Sequence, residues 1–181
     1  MRIISGKYKG TRLLGHDLEQ TRPTKDRTKE SLFAMLQENV SNSICLDLFA
    51  GTGTLGIEAI SNGTKKVYFN ELNNEPLRIL KQNLKKIRED YDVKQLDYAV
   101  ALKEYHKAGL SFNIIFLDPP YNFRSLDKLL RKIKEYKLLS ETGIIILETD
   151  KSDLKVLTFE TVNQKKYGKS YVYFLAHKSV K

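Results

Sequence analysis

The sequence predicts an α/β domain built around an open, mostly parallel sheet, and three observations predict it. Between residues 43 and 149, short runs rich in Ile, Leu, Val and Phe alternate with amphipathic stretches, the pattern of βα units. A glycine-rich turn, Gly51-Thr52-Gly53-Thr54-Leu55-Gly56, follows the first run, and the rigid Asp118-Pro119-Pro120-Tyr121 follows the fourth. Both fall at the carboxyl end of a predicted strand, where open sheets of this kind bind their ligands.

Taken in order, the chain opens with an extended stretch, residues 2–14, punctuated by Gly6 and Gly10 and readable as a small hairpin. A polar loop follows, then a helix over 25–40 with Thr24 as N-cap and Leu32, Phe33, Leu36 and Val40 as its buried stripe. Strands are predicted at 43–49, 66–70, 93–97, 112–118 and 143–148, with helices between them beginning near Thr54, Asn74, Tyr98 and Arg124. The second of these helices is the clearest, because Leu77, Leu80, Leu84 and Ile87 recur at helical spacing. Two β-prone stretches, 155–161 and 170–176, flank the turn-like Lys166-Tyr167-Gly168-Lys169 and predict an antiparallel closing hairpin, making seven strands. The expected organisation is a single domain over 1–181, with residues 1–24 as a basic extension and 25–181 as the catalytic core.

Composition narrows the functional classes. With 181 residues, 41% of them hydrophobic, the chain suffices for one sizeable core. No apolar run approaches the roughly 20 residues that span a bilayer, so a soluble, cytoplasmic protein with no membrane partner is expected. The lone Cys45 excludes an internal disulfide and reads as a core residue, while His16, His106 and His177 are too scattered for a metal site, and none is expected. The net charge of +9 is uneven: residues 1–30 carry eight Lys/Arg against four Asp/Glu, residues 151–181 seven against two, and the interior sixteen of each. Basic ends on a neutral domain suit a polyanion, since Lys and Arg gain by releasing counterions from phosphates.

The glycine turn carries the first chemistry. Glycines let the backbone approach a ligand closely, and the helix that follows presents free N–H groups. Gly51, Gly53 and Gly56 also match the Gly-x-Gly-x-x-Gly spacing of dinucleotide sites. The context Asp47-Leu48-Phe49-Ala50-Gly51 favours S-adenosylmethionine instead, because Asp47 can accept from an ammonium or bound water where a dinucleotide would need room for pyrophosphate. Glu71, ending the next strand, is placed to take ribose hydroxyls of either cofactor. Asp97, ending the third, is placed to accept from an adenine amino group.

The second motif is more specific. Two prolines stiffen the loop and aim Asp118 and its neighbouring carbonyls, while Tyr121 offers a face for a base to stack on, a contact worth about 1–3 kcal/mol. Asp118 and a backbone carbonyl can hold both hydrogens of an exocyclic amine, turning its lone pair toward a methyl donor for direct displacement.

With these residues quoted, the chain resembles the RsmD family, bacterial methyltransferases that modify the N2 amine of a guanine in 16S ribosomal RNA. The resemblance spans Arg2-Ile3-Ile4-Ser5-Gly6-Lys7-Tyr8-Lys9-Gly10, Arg22-Pro23-Thr24 with Arg27 and Glu30-Ser31-Leu32-Phe33, the 46–56 turn, Glu71, and Asp118 to Tyr121. It implies a Rossmann-like class I S-adenosylmethionine-dependent methyltransferase fold. The implied cofactor site is Asp47, Phe49, Gly51, Gly53, Glu71 and Asp97. The implied catalytic loop is Asp118, Pro119, Pro120 and Tyr121; Arg22 and Arg27, which flank the start of the first helix, could reach RNA phosphate or the cofactor's carboxylate, and the resemblance favours the substrate role. The implied partner is 16S rRNA or the small ribosomal subunit, and a monomer is expected. Many guanine-N2 enzymes carry Asn where this chain has Asp118, so the motif alone does not identify the base.

Two other readings use the same residues. A DNA adenine-N6 methyltransferase would share the Asp-Pro-Pro-Tyr loop, but the chain has no length to spare for a separate base-flipping domain. A non-catalytic RNA-binding assembly factor would have no reason to keep the glycine turn, Glu71 and Asp118 together.

Overall fold

The structure, a computed structural model, describes residues 1–15, 22–120 and 122–179, with the backbone alone for 22–26. Its elements are α1 (Arg22–Val40), β1 (Ile44–Asp47), α2 (Thr54–Ser61), β2 (Lys66–Asn70), α3 (Asn74–Leu84), β3 (Tyr91–Lys94) and α4 (Tyr98–Lys107). Then come β4 (Phe112–Leu117), α5 (Leu126–Glu135), β5 (Leu139–Thr149), β6 (Glu160–Tyr167) and β7 (Ser170–Ala176). The seven strands form one sheet in the order β3-β2-β1-β4-β5-β7-β6. The first five run parallel, and β7 pairs antiparallel with both β5 and β6. Strand order reverses between β1 and β4, and the loops leaving their carboxyl ends diverge there to leave a crevice.

Strand side chains alternate between two cores, as the period of two requires. Cys45, Val67, Phe69, Ile114, Phe116 and Ile146 pack with apolar residues of α1, α2 and α3. Leu46, Ile115, Leu117, Ile145 and Leu147 pack with α4 and α5 on the opposite face. Cys45 is a fully buried core residue, and burial pushes its thiol up to about 12. Among the described residues no helix is long and apolar enough to cross a membrane.

The amino-terminal stretch forms a hairpin reduced to one antiparallel bridge, Arg2 to Arg12. It is strapped over the first core by buried Ile3 and Leu13. A buried carboxylate holds it: Glu58 of α2 accepts from the backbone N–H groups of Ile4 at 2.9 Å and Ser5 at 2.8 Å. The Lys29 ammonium, on α1, stands 3.2 Å from the same carboxylate and donates to the Arg2 carbonyl at 2.8 Å. Gly6, at φ 74°, passes so close to the Ser61 carbonyl that a Cβ would collide with it.

Several boundaries differ from the expectations. The first helix begins at Arg22, so Thr24 lies inside it and cannot be its N-cap, and the division at 24/25 falls within its first turn. Pro23 suits a first turn, where a missing N–H costs nothing. The third strand is 91–94 rather than 93–97, the fifth starts at Leu139, and α5 starts at Leu126. The sixth strand is 160–167, not 155–161.

Candidate active site

The two motifs meet at the crevice because their strands are neighbours. Asp47 of β1 pairs in register with Phe116 of β4, and the Leu48 N–H donates to the Phe116 carbonyl at 3.2 Å. The glycine turn therefore leaves the sheet beside the Asp118-Pro119-Pro120 loop. Phe49 and Phe123 join the two loops edge to face, with ring centroids 5.4 Å apart, and Tyr98 at the start of α4 packs against both.

The turn is held by carboxylates from within. Asp47 is buried at 2% exposure, and its Oδ2 accepts from the Gly56 N–H at 2.9 Å. Burial pushes its carboxyl up to about 7, the Gly56 N–H pulls the other way, and the Glu71 carboxylate adds to the rise. Glu71, also buried, uses one oxygen to accept from the Gly51 N–H at 2.8 Å and the other to accept from the Asn73 N–H at 2.7 Å. Gly51 and Gly53 both have positive φ, 54° and 85°, but for different surroundings. A Cβ on Gly53 would strike Leu80, whereas one on Gly51 would stand in open space above the turn. That open space beside an ordered carboxylate is where the backbone can approach a ligand.

Asp97 is exposed and caps α4, its Oδ1 accepting from the Ala99 N–H at 2.8 Å. Asp118 and Pro120 are exposed at the mouth of the crevice, and the Pro120 carbonyl accepts from the Phe123 N–H at 2.8 Å. A cleft runs from this loop to the end of β5, bounded there by residues 147–151. Arg27 lies exposed on α1. Tyr121 and the Arg22 side chain, both expected at the site, lie outside the described residues.

Sequence reasoning missed three supports. Buried Asn70, ending β2, donates through Nδ2 to the Leu48 and Leu96 carbonyls at 3.3 and 2.9 Å, and its Oδ1 accepts from the Leu96 N–H at 3.2 Å. It ties the end of β2 to the segments that follow β1 and β3. Buried Asn83 of α3 accepts from the Leu14 N–H at 2.8 Å and donates to the Leu14 and Thr52 carbonyls at 2.9 and 3.0 Å. The amino-terminal strap is thereby tied to the glycine turn. Polar side chains at otherwise apolar positions were the available signal for both residues. Phe123 and Tyr98, the third support, carried no signal beyond being aromatic beside the motifs.

A model of the family described as conserved hypothetical protein 95 matches residues 1–176. The chain belongs to this family, the RsmD family. It is 40% identical to YlbH of Bacillus subtilis over 83% of each chain. It is 37% identical to the ribosomal RNA small subunit methyltransferase D of Haemophilus influenzae, covering 83% of this chain and 79% of that one. The solved structure of yhhF from Escherichia coli superposes with a TM-score of 0.84 at 26% identity over 99% of both chains. The seven-stranded sheet with its antiparallel carboxyl-terminal pair is the Rossmann-like class I methyltransferase fold.

Proposed function

We propose that this RsmD-family chain transfers a methyl group from S-adenosylmethionine to the exocyclic N2 amine of a guanine in small-subunit ribosomal RNA. The observation that carries the reading is the adjacency, across paired β1 and β4, of the glycine turn and the Asp118-Pro119-Pro120 loop. One loop can hold a donor while the other holds an acceptor.

The cofactor fits the residues present. The open space above Gly51 admits a ligand against the backbone, and Glu71 has its carboxylate fixed by two N–H donors, with lone pairs remaining to accept from ribose hydroxyls. Asp97, at the start of α4, is suited to the adenine amine, and Phe49 to its ring. Bound there, S-adenosylmethionine supplies an electrophilic methyl on a sulfonium. Asp47 keeps the turn in shape by holding the Gly56 N–H. Asp118 and a loop carbonyl accept the two amine hydrogens, which frees the nitrogen lone pair from the ring and aligns it for in-line attack. Pro119 and Pro120 restrict the loop so that these acceptors are already aimed. Tyr121 stacks on the base, and Arg22 and Arg27 contact the RNA backbone.

The test is transfer of label from S-adenosylmethionine to small ribosomal subunits from cells lacking the gene, with digestion of the RNA to identify the nucleoside. N2-methylguanosine that disappears with Asp118→Ala, while cofactor binding persists, is the expected result. No label in the RNA, with label in adenine when DNA is supplied in a parallel reaction, would overturn the reading.

A further inference from the structure

The even balance of charge in the chain's interior hides a local imbalance on α5 and the two residues that lead into it. Residues 124–135 carry five Lys/Arg against two Asp/Glu. Leu129, Leu130 and Ile133 turn inward to the second core, which forces the charged residues onto the outer face. Arg124, Lys128 and Arg131 are exposed there and line one broad concave surface. Asp127 and Glu135 each stand four residues from Arg131, the spacing at which helical ion pairs form. Yet among the described residues none of these three cations makes an ion pair. Lys132, by contrast, is occupied with Tyr136, its Nζ lying 5.1 Å from the ring centroid.

The position of this ridge gives it a use. Arg124 follows Asp118 by only six residues in the chain, so the ridge starts at the mouth of the crevice. From there α5 runs back along the domain, carrying Lys128 and Arg131 about 4.5 Å apart along its axis at about 1.5 Å per residue. We infer that Arg124, Lys128 and Arg131 form a phosphate-binding track for the RNA strand that flanks the target nucleotide. The inference rests on the proposed RNA substrate and adds to it a second contact surface, on the opposite face of the sheet from α1 with its Arg27. Unpaired guanidinium and ammonium groups, one at the entry to the helix and two a turn apart on it, suit a flexible polyanion, and they position it without reading its sequence.

The test compares K128Q/R131Q with K103Q/K107Q, which removes the same charge from exposed positions of α4, using a small-subunit rRNA transcript as probe. The α5 variant should weaken RNA binding about tenfold at moderate salt, and the slope of log affinity against log salt should fall by about 1.4, or about 0.7 per lost contact. S-adenosylmethionine affinity, read by calorimetry, should not change. The charge-keeping K128R/R131K should bind RNA as the unaltered protein does. Equal RNA affinity and salt slope for the α4 and α5 variants, with the unaltered protein still methylating RNA, would overturn the track alone. Failure of the unaltered protein to bind or methylate any RNA would overturn both the track and the reading beneath it.

Discussion

Replacing Asp47 by Asn should remove a pH-dependent cost of folding. The carboxyl is buried and pushed up to about 7, by burial first, whereas in an unfolded chain aspartate ionises near 3.9. Between those two values the native protein keeps a proton that the unfolded chain has released, so stability falls as pH rises through the window. Above it the full penalty stands. Three pKa units correspond to about 4 kcal/mol, more than half of which develops between about pH 5 and pH 8. D47N keeps an amide oxygen for the Gly56 N–H but has nothing to ionise. Urea unfolding of the cofactor-free proteins across that range should show D47N gaining on the unaltered protein by about 2–3 kcal/mol toward alkaline pH. Other titrating groups, such as Glu89, whose pKa is lowered, are common to both proteins and cancel in the difference. Parallel stability curves would refute the argument, because they would mean that Asp47 ionises in the native state as readily as in the unfolded chain.

Lys29→Met should cost about 3–5 kcal/mol in urea unfolding, because it leaves the Glu58 carboxylate buried without its cation, and adding Glu58→Gln should recover part of that loss. Gly51→Ala and Gly109→Ala both place a Cβ in open space at positive φ, so each should lose about 1–2 kcal/mol of stability. Only Gly51→Ala should also weaken S-adenosylmethionine binding, by about tenfold or more in calorimetry; equal affinities would remove the turn from the cofactor site.

Much of the fold was legible because its central strands are apolar on both faces. Residues 66–70 and 170–176 appear as strands at the expected limits, and helices begin at Thr54, Asn74 and Tyr98 as expected. The edges were harder. The edge strand Glu160–Tyr167 is polar and exposed along nearly its whole length, so no burial pattern marks it. The apolar Val156 that suggested an earlier strand instead packs against the second core from a loop, and Leu157 is exposed. At the other edge, Tyr91–Lys94 pairs on one side only and is likewise poor in apolar residues. The glycine turn, Glu71 and Asp118 were legible as features that follow strand ends, where the structure puts them, because glycines and acids stand out against the apolar strands they follow. Glu58 was not, since an acid within a short helix looks solvated until the strap 53 residues away is folded over it.

The place of β7 has a consequence for how the protein is made. Residues 170–176 follow β6 in the chain yet lie inside it, between β5 and the edge. Val172, Tyr173, Phe174 and Leu175 are all buried, filling both cores from one strand. Until they emerge from the ribosome, β5 presents an open hydrogen-bonding edge flanked by two unfilled apolar surfaces. A polypeptide cut short ahead of residue 170 is therefore not a weakened enzyme but a sticky intermediate, primed for aggregation or degradation.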